Sequence, residues 1–210
     1  MKLIGMLDSP YVRRVAISLS AMGIPFEHQA LSVLSTVEQF RQINPVIKAP
    51  TLICPDGTVL MDSTLILDHA ESLIPPPLRQ MPRGTMARLR TLRLLGLALA
   101  GCDKAVQHVY ETRLRPPDKQ HAPWLERVQG QMRAAFTELE QELAREPLQA
   151  GKGQAAITAA VVWQFVQTMA ADGLPGESFP QLHALSQTSE TLPLFQAFPP
   201  AGPGVSPPGP

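Results

Sequence analysis

The residues best placed to do chemistry begin at Ser9, in the run Ser9-Pro10-Tyr11. A short strand-like opening, Lys2-Leu3-Ile4-Gly5-Met6-Leu7, leads directly into it. Ser9 has the residue type of a helix N-cap, and Pro10 suits the first helical position, where a missing N–H costs nothing. The helix predicted beyond them carries Val12, Val15, Ala16, Leu19 and Met22 at three- and four-residue spacing and stops at Gly23. One hydroxyl therefore stands at the mouth of a strand-to-helix turn, beside free N–H groups and about half a positive charge. Such a place favours an anion, and a thiolate is one such anion. Taken alone, the same residues also describe a plain helix cap.

A second signal lies further along. Ala49-Pro50-Thr51-Leu52-Ile53 predicts a strand that opens on proline, followed by the turn pair Asp56-Gly57 and a returning strand, Thr58-Val59-Leu60-Met61. Proline is tolerated at the first residue of a strand. A cis Ala49-Pro50 bond would turn the N–H and C=O of Ala49 outward, free to pair with an extended peptide. A trans proline on an edge strand fits the same letters. Asp62-Ser63 then has the form of a cap for a helix from Thr64 to about Leu73, with Leu65, Ile66, His69 and Leu73 along one side.

The order is thus strand, helix, strand (26–31), helix, hairpin, helix. Thr36-Val37-Glu38-Gln39-Phe40 starts the second helix and Asn44-Pro45 ends it. Leu3-Ile4-Gly5, Ser9 to Val15, Asn44 to Leu52 and Asp62 to Leu67, in this order and spacing, resemble a soluble glutathione S-transferase. The likeness is to the bacterial branch with serine at the catalytic turn, and it continues more loosely to about Phe198. It implies an α/β plus all-α fold, in which a thioredoxin-like N-terminal domain holding glutathione precedes an α-helical bundle that shapes the second substrate's pocket. It implies that Ser9 stabilises the glutathione thiolate and that Ala49, ahead of a cis Pro50, pairs by main chain with the cysteinyl unit. Asp62 and Ser63 match the pair that holds the ammonium and carboxylate of the γ-glutamyl end, and Lys48 is placed to reach the glycyl carboxylate. Tyr11 and His108 are the candidates for the second-substrate pocket. A packing role for Tyr11 and a surface or interface role for His108 fit the sequence as well.

The implied activity is transfer of the glutathione thiolate to a small hydrophobic electrophile, a detoxification chemistry with glutathione as co-substrate, no other cofactor and no metal. A free thiol titrates near pH 8.5, so a depression of roughly two units, about 2.7 kcal/mol, makes the thiolate dominant. One hydroxyl hydrogen bond to a charged acceptor contributes about 1.5–3 kcal/mol and a helix terminus about 0.3–1, which together suffice. Serine at this turn argues against a disulfide-exchange reductase, which needs a protein thiolate there. The alternative is a non-catalytic glutathione-binding protein of the same fold, carrying ligands or regulating.

Composition agrees. The chain has 210 residues, with 18 basic and 18 acidic, so no broad electrostatic case exists for nucleic acid. Cys54 and Cys102 form no C-x-x-C motif and no disulfide framework, as expected of reduced cysteines in a cytoplasm. His28, His69, His121 and His183 lack metal-ligand spacing. The opening apolar run is broken by Asp8, so no signal peptide is expected, and no run is long enough for a membrane span.

The first domain is expected over 1–75, a proline-rich linker over 76–84, an all-helical domain over 85–198 and a disordered Pro/Gly tail over 199–210. In the helical part Leu89, Leu92, Leu95, Leu99, Cys102, Val106 and Val109 trace one face of a long helix. Leu125, Val128, Met132, Phe136, Leu139 and Leu143 trace a second, expected to lie antiparallel to it. Ala155 to Met169 is apolar nearly all round and belongs at the bundle centre; the family's serine or threonine cap and aspartate are replaced here by Gly153 and Ala156. Arg13 and Arg14 are expected to be solvated. Arg88, Arg90 and Arg93 are expected to meet acidic residues across the two-fold axis of a homodimer, the assembly that the resemblance implies.

Overall fold

In β1 (Lys2–Ile4) successive side chains point to opposite faces, and both Leu3 and Ile4 are fully buried. A strand buried on both sides needs a layer on each, and the computed structural model, which describes residues 1–171 and 174–202, supplies them. Leu3 packs with Leu52 against Val12, Val15 and Leu19 of α1 (Pro10–Ala21) and Ile66 of α3 (Ser63–Ser72). Ile4 packs on the other side with Leu31 and with Phe40 of α2 (Val37–Ile43).

The sheet between these helices has the order β2-β1-β3-β4, with β2 at Glu27–Gln29, β3 at Thr51–Ile53 and β4 at Val59–Met61. β1 runs parallel to β2 and antiparallel to β3, which pairs antiparallel with β4. This is the thioredoxin-like sheet expected, although the strands are shorter than their apolar runs. Gly5 ends β1 because its φ of +140° suits glycine and a Cβ there would come 2.5 Å from Val12 Cγ2. The hairpin turns through Gly57 at φ +87°, with Asp56 Oδ1 accepting from Thr58 N at 2.9 Å.

The chain divides into two compact units, Met1–Gln80 with the segment from Pro193, and Met81–Leu192. A 3-10 turn at Pro76–Leu78 occupies the proline run, and the Glu71 carboxylate accepts from Gln80 N at 2.9 Å. The second unit holds α4 (Thr85–Arg113), α5 (Ala122–Arg145), α6 (Gly153–Met169) and α7 (Pro180–Glu190). Among the described residues no helix is long and apolar enough to cross a membrane. Arg93 pairs with Glu138 and Glu142 of α5, while Gly101 further along α4 lies against Phe136, so α4 and α5 run antiparallel. α6 is buried on nearly every side, and its Trp163 ring meets Phe136 at 5.4 Å and Phe179 at 5.1 Å. Glu140 on α5 caps α7 from outside, its two carboxylate oxygens accepting from Gln181 N and Leu182 N.

The buried faces and the ends of several helices differ from those expected. On α3 the buried row is Ser63, Ile66, Leu67 and Ala70, while Leu65 is 62% exposed and Leu73 also faces solvent. On α4, Leu89 and Leu92 are exposed, and Leu94, Ala98 and Ala105 share the burial with Leu95, Cys102 and Val109. Helical periodicity identifies an apolar row but not which neighbour covers it. The residue before α6 is Lys152, and Gly153, the first helical residue, has φ +81°, so no side-chain cap hydrogen bond starts this helix. Arg90 and Arg93 meet their acids, Glu146, Glu142 and Glu138, within the chain and not across an axis.

The helical domain expected over 85–198 ends differently. From Pro193 the chain belongs to the first unit, where α8 (Pro193–Gln196) buries Phe195 completely and Phe198 stacks on Phe26 at 5.8 Å. The expected tail lies outside the described residues from 203 onward.

Candidate functional site

At the first turn, Ser9 precedes α1 with extended backbone, and Pro10 takes the first helical position. Ser9 Oγ accepts from Val12 N at 3.5 Å, the long limit of a hydrogen bond. Its own proton goes to no group among the described residues. Ser9 is half-buried, so the hydroxyl stands at the edge of the packed core with a donor unspent.

The loop before β3 is tied by residues whose sequence signal was only that of a helix end. Asn44 is buried, and its Nδ2 donates to Thr51 Oγ1 at 2.8 Å while its Oδ1 accepts from Val46 N at 3.0 Å. Thr51 Oγ1 in turn donates to the Lys48 carbonyl at 2.7 Å. These bonds clamp 44–51 from inside, with Ile47 at φ +53° and a cis Ala49-Pro50 bond. Neither the N–H nor the C=O of half-buried Ala49 is hydrogen-bonded among the described residues. Lys48 is exposed, and its side chain makes no ion pair there.

The third element is the start of α3. Asp62 has φ +72°, and its Oδ1 accepts from Thr64 N at 2.9 Å, an Asx-type cap. Its other oxygen is unengaged among the described residues. Ser63 is 3% exposed and its Oγ accepts from Arg14 Nη1 at 2.9 Å. Arg13 and Arg14, expected in solvent, are each 1% exposed. Arg13 Nε donates to the Phe198 carbonyl at 2.8 Å, and its guanidinium lies over the Phe195 ring at 5.7 Å.

Tyr11 is half-buried on α1. His108 is buried at 5% exposure on α4, which corrects its expected surface or interface role. Cys54 and Cys102 are buried and in no disulfide; Cys54 Sγ lies 3.8 Å from His69 Nε2, and burial with the nearby Asp56 charge pushes its thiol up. Among the described residues no group of three or more His, Cys, Asp or Glu is placed to hold a metal. Ser9, Ala49, Asp62 and Ser63 all lie in the first unit, at the start of α1, in the loop before β3 and, for the last two, at the start of α3. Asn44, Thr51 and Arg14 fix these elements through partners distant in the sequence or on other elements, a role that residue type and spacing do not signal.

Residues 3–78 match the family described as glutathione S-transferase, N-terminal domain. The chain is 30% identical over 140 residues to the uncharacterized GST-like protein YibF of Escherichia coli, covering 67% of this chain and 68% of that one. A glutathione transferase family member from Pseudomonas fluorescens, crystallised with S-(propanoic acid)-glutathione, is 31% identical; the match covers 96% of this chain and all of that one (100%), with a TM-score of 0.83. A glutathione S-transferase from Methylobacterium radiotolerans, in complex with glutathione sulfonate, is 26% identical over 98% and 97% of the two chains, with a TM-score of 0.88. The likeness extends from the turn-and-sheet unit through the helical one, and the chain belongs to the glutathione S-transferase family.

Proposed function

We propose that the protein is a glutathione transferase of the serine type, binding glutathione in its first unit and activating the thiol at Ser9. One observation carries the reading: the hydroxyl protons of Ser9 and Ser63 and both main-chain groups of Ala49 are unspent among the described residues. Peptide, thiolate and carboxylate together use all of them. The γ-glutamyl carboxylate takes the Ser63 proton and the N–H groups at the start of α3 that Asp62 does not hold, and its ammonium pairs with Asp62. The cysteinyl unit pairs with the N–H and C=O of Ala49, ahead of Pro50, and Lys48 reaches the glycyl carboxylate. The Ser9 hydroxyl and the N-terminus of α1 hold the sulfur as thiolate. The thiolate attacks a small hydrophobic electrophile and forms a carbon–sulfur bond. A leaving group departs with its electron pair or, at an activated double bond, a proton is taken from solvent. Tyr11 on α1 is the residue proposed for the second-substrate pocket. Glutathione is co-substrate and no cofactor is needed. Cys54 and Cys102, buried and in no disulfide, fit a reducing cytoplasm.

Retention on immobilised glutathione, followed by turnover with a panel of electrophiles and peroxides, tests this. Binding with elution by free glutathione and turnover of an electrophile is expected. Retention without any turnover supports the non-catalytic alternative instead, and no retention removes the reading.

The assembly we propose is a homodimer, resting on exposed apolar side chains that each unit carries. The first unit shows Val46 and Leu65; the second shows Met86, 74% exposed, with Leu89 and Leu92 at three-residue spacing on α4. Mass measurement in solution should give twice the chain mass, and Met86→Arg with Leu89→Arg should give monomer. A monomeric parent protein contradicts the assembly.

A further inference from the structure

One buried side chain joins the helix that opens at Ser9 to the helix that opens at Ser63. Arg14 Nη1 donates to Ser63 Oγ at 2.9 Å and to Thr64 Oγ1 at 3.3 Å. A guanidinium offers donors only and stays charged at every working pH. Toward Arg14 the Ser63 oxygen can therefore only accept, and its single proton must point elsewhere. No group among the described residues takes that proton, although Ser63 is 3% exposed. A buried hydroxyl with an unspent donor is satisfied only by an acceptor that arrives from outside. Because Ser63 is the first residue of α3, where Asp62 takes Thr64 N but the N–H groups of Ser63 and Leu65 have no partner among the described residues, that acceptor is an anion.

We infer that Arg14 is a positioning residue for carboxylate recognition: it fixes the polarity of the Ser63 hydroxyl so that the proton is presented to the incoming carboxylate. The inference rests on the proposed glutathione reading, in which this is the γ-glutamyl α-carboxylate. The position needs a side chain that only donates, and a guanidinium cannot reverse the bond. A glutamine at the same place offers an amide oxygen able to accept the Ser63 proton, so the hydroxyl is no longer held with its donor toward the ligand. Arg14 touches neither the thiol nor the electrophile in this reading, so its loss raises KM for glutathione and leaves kcat in place.

The test compares glutathione with its analogue lacking the γ-glutamyl α-carboxylate, by calorimetry, on the parent protein, Arg14→Gln, Ser63→Ala and the double variant. Arg14→Gln should weaken glutathione about tenfold, as expected for one hydrogen bond to a charged group, and leave the analogue within about twofold. In the Ser63→Ala background the same change should cost less than about twofold, because its route is gone. Should Arg14→Gln not fold, Arg14→Lys is the second variant: its ammonium also only donates, so glutathione should bind within about twofold of the parent, and a tenfold loss there would overturn the inference. Equal weakening of both ligands, or an undiminished loss in the Ser63→Ala background, overturns the inference. A parent protein that binds both ligands alike also overturns it and leaves glutathione binding standing. A parent protein that binds neither removes the proposed function and this inference with it.

Discussion

A serine hydroxyl has one proton to give, and Ser9 and Ser63 are held so that neither gives it to the protein. Ser9 accepts from Val12 N and Ser63 from Arg14 Nη1, each at the opening of a helix. Asp62 combines two duties that substitution can separate. Its backbone, at φ +72°, is a conformation that costs a non-glycine residue about 1–3 kcal/mol, and the bond from Thr64 N supports it. Asp62→Asn keeps an oxygen for Thr64 N but removes the charge opposite the ligand ammonium. It should therefore retain the parent melting temperature while weakening glutathione at least about tenfold, since truncating a desolvated charge pair costs about 2–5 kcal/mol. Unchanged affinity in calorimetry would leave Asp62 a cap and nothing more. At this scale the sequence was legible where a residue acts on its own neighbours, as at Ser9-Pro10 and Asp56-Gly57. It was not legible at Arg13, whose acceptor is the carbonyl of Phe198, 185 positions away.

Elements are held by contacts that residue patterns describe only in part. The α5 row from Val128 to Leu143 is buried as its spacing implies, because one broad face covers one core. α4 and α3 carry more than one apolar row, and the exposed Leu89 and Leu65 show that periodicity alone does not choose between them. Arg93 bridges α4 to Glu138 and Glu142 of α5, and its hydrogen bond holds the Glu142 carboxyl below the usual carboxylate range. A carboxyl depressed by folding adds stability above its unfolded pKa and loses it as pH falls through the folded value. The melting-temperature gap between the parent protein and Glu142→Gln should be present at neutral pH and close on acidification. A gap that is constant with pH would show that the pair does not set it. α8 offers a second check, because Phe195 is fully buried beneath the Arg13 guanidinium. Phe195→Ala should cost about 3–5 kcal/mol in denaturant unfolding. An unaltered midpoint would place that segment off the first unit.

For the molecule as a whole, the sheet unit with helices on both faces and the helical bundle follow from the two buried residues of β1 and from the apolar girth of α6, both readable from residue types. The return of the chain from Pro193 to the first unit was not readable, since a short segment ending in proline and glycine carries no periodic signal. Family membership rests on likeness along nearly the whole chain, whereas the proposed chemistry rests on one hydroxyl. The most direct measurement is therefore the titration of the bound glutathione thiol, followed by thiolate absorbance in the binary complex of the parent protein and of Ser9→Ala. The bound thiol should titrate about two units below the free value near 8.5, and Ser9→Ala should raise it by about one to two units with little change in affinity. A bound thiol that titrates like the free one, or a Ser9→Ala complex that titrates like the parent, would contradict activation at Ser9.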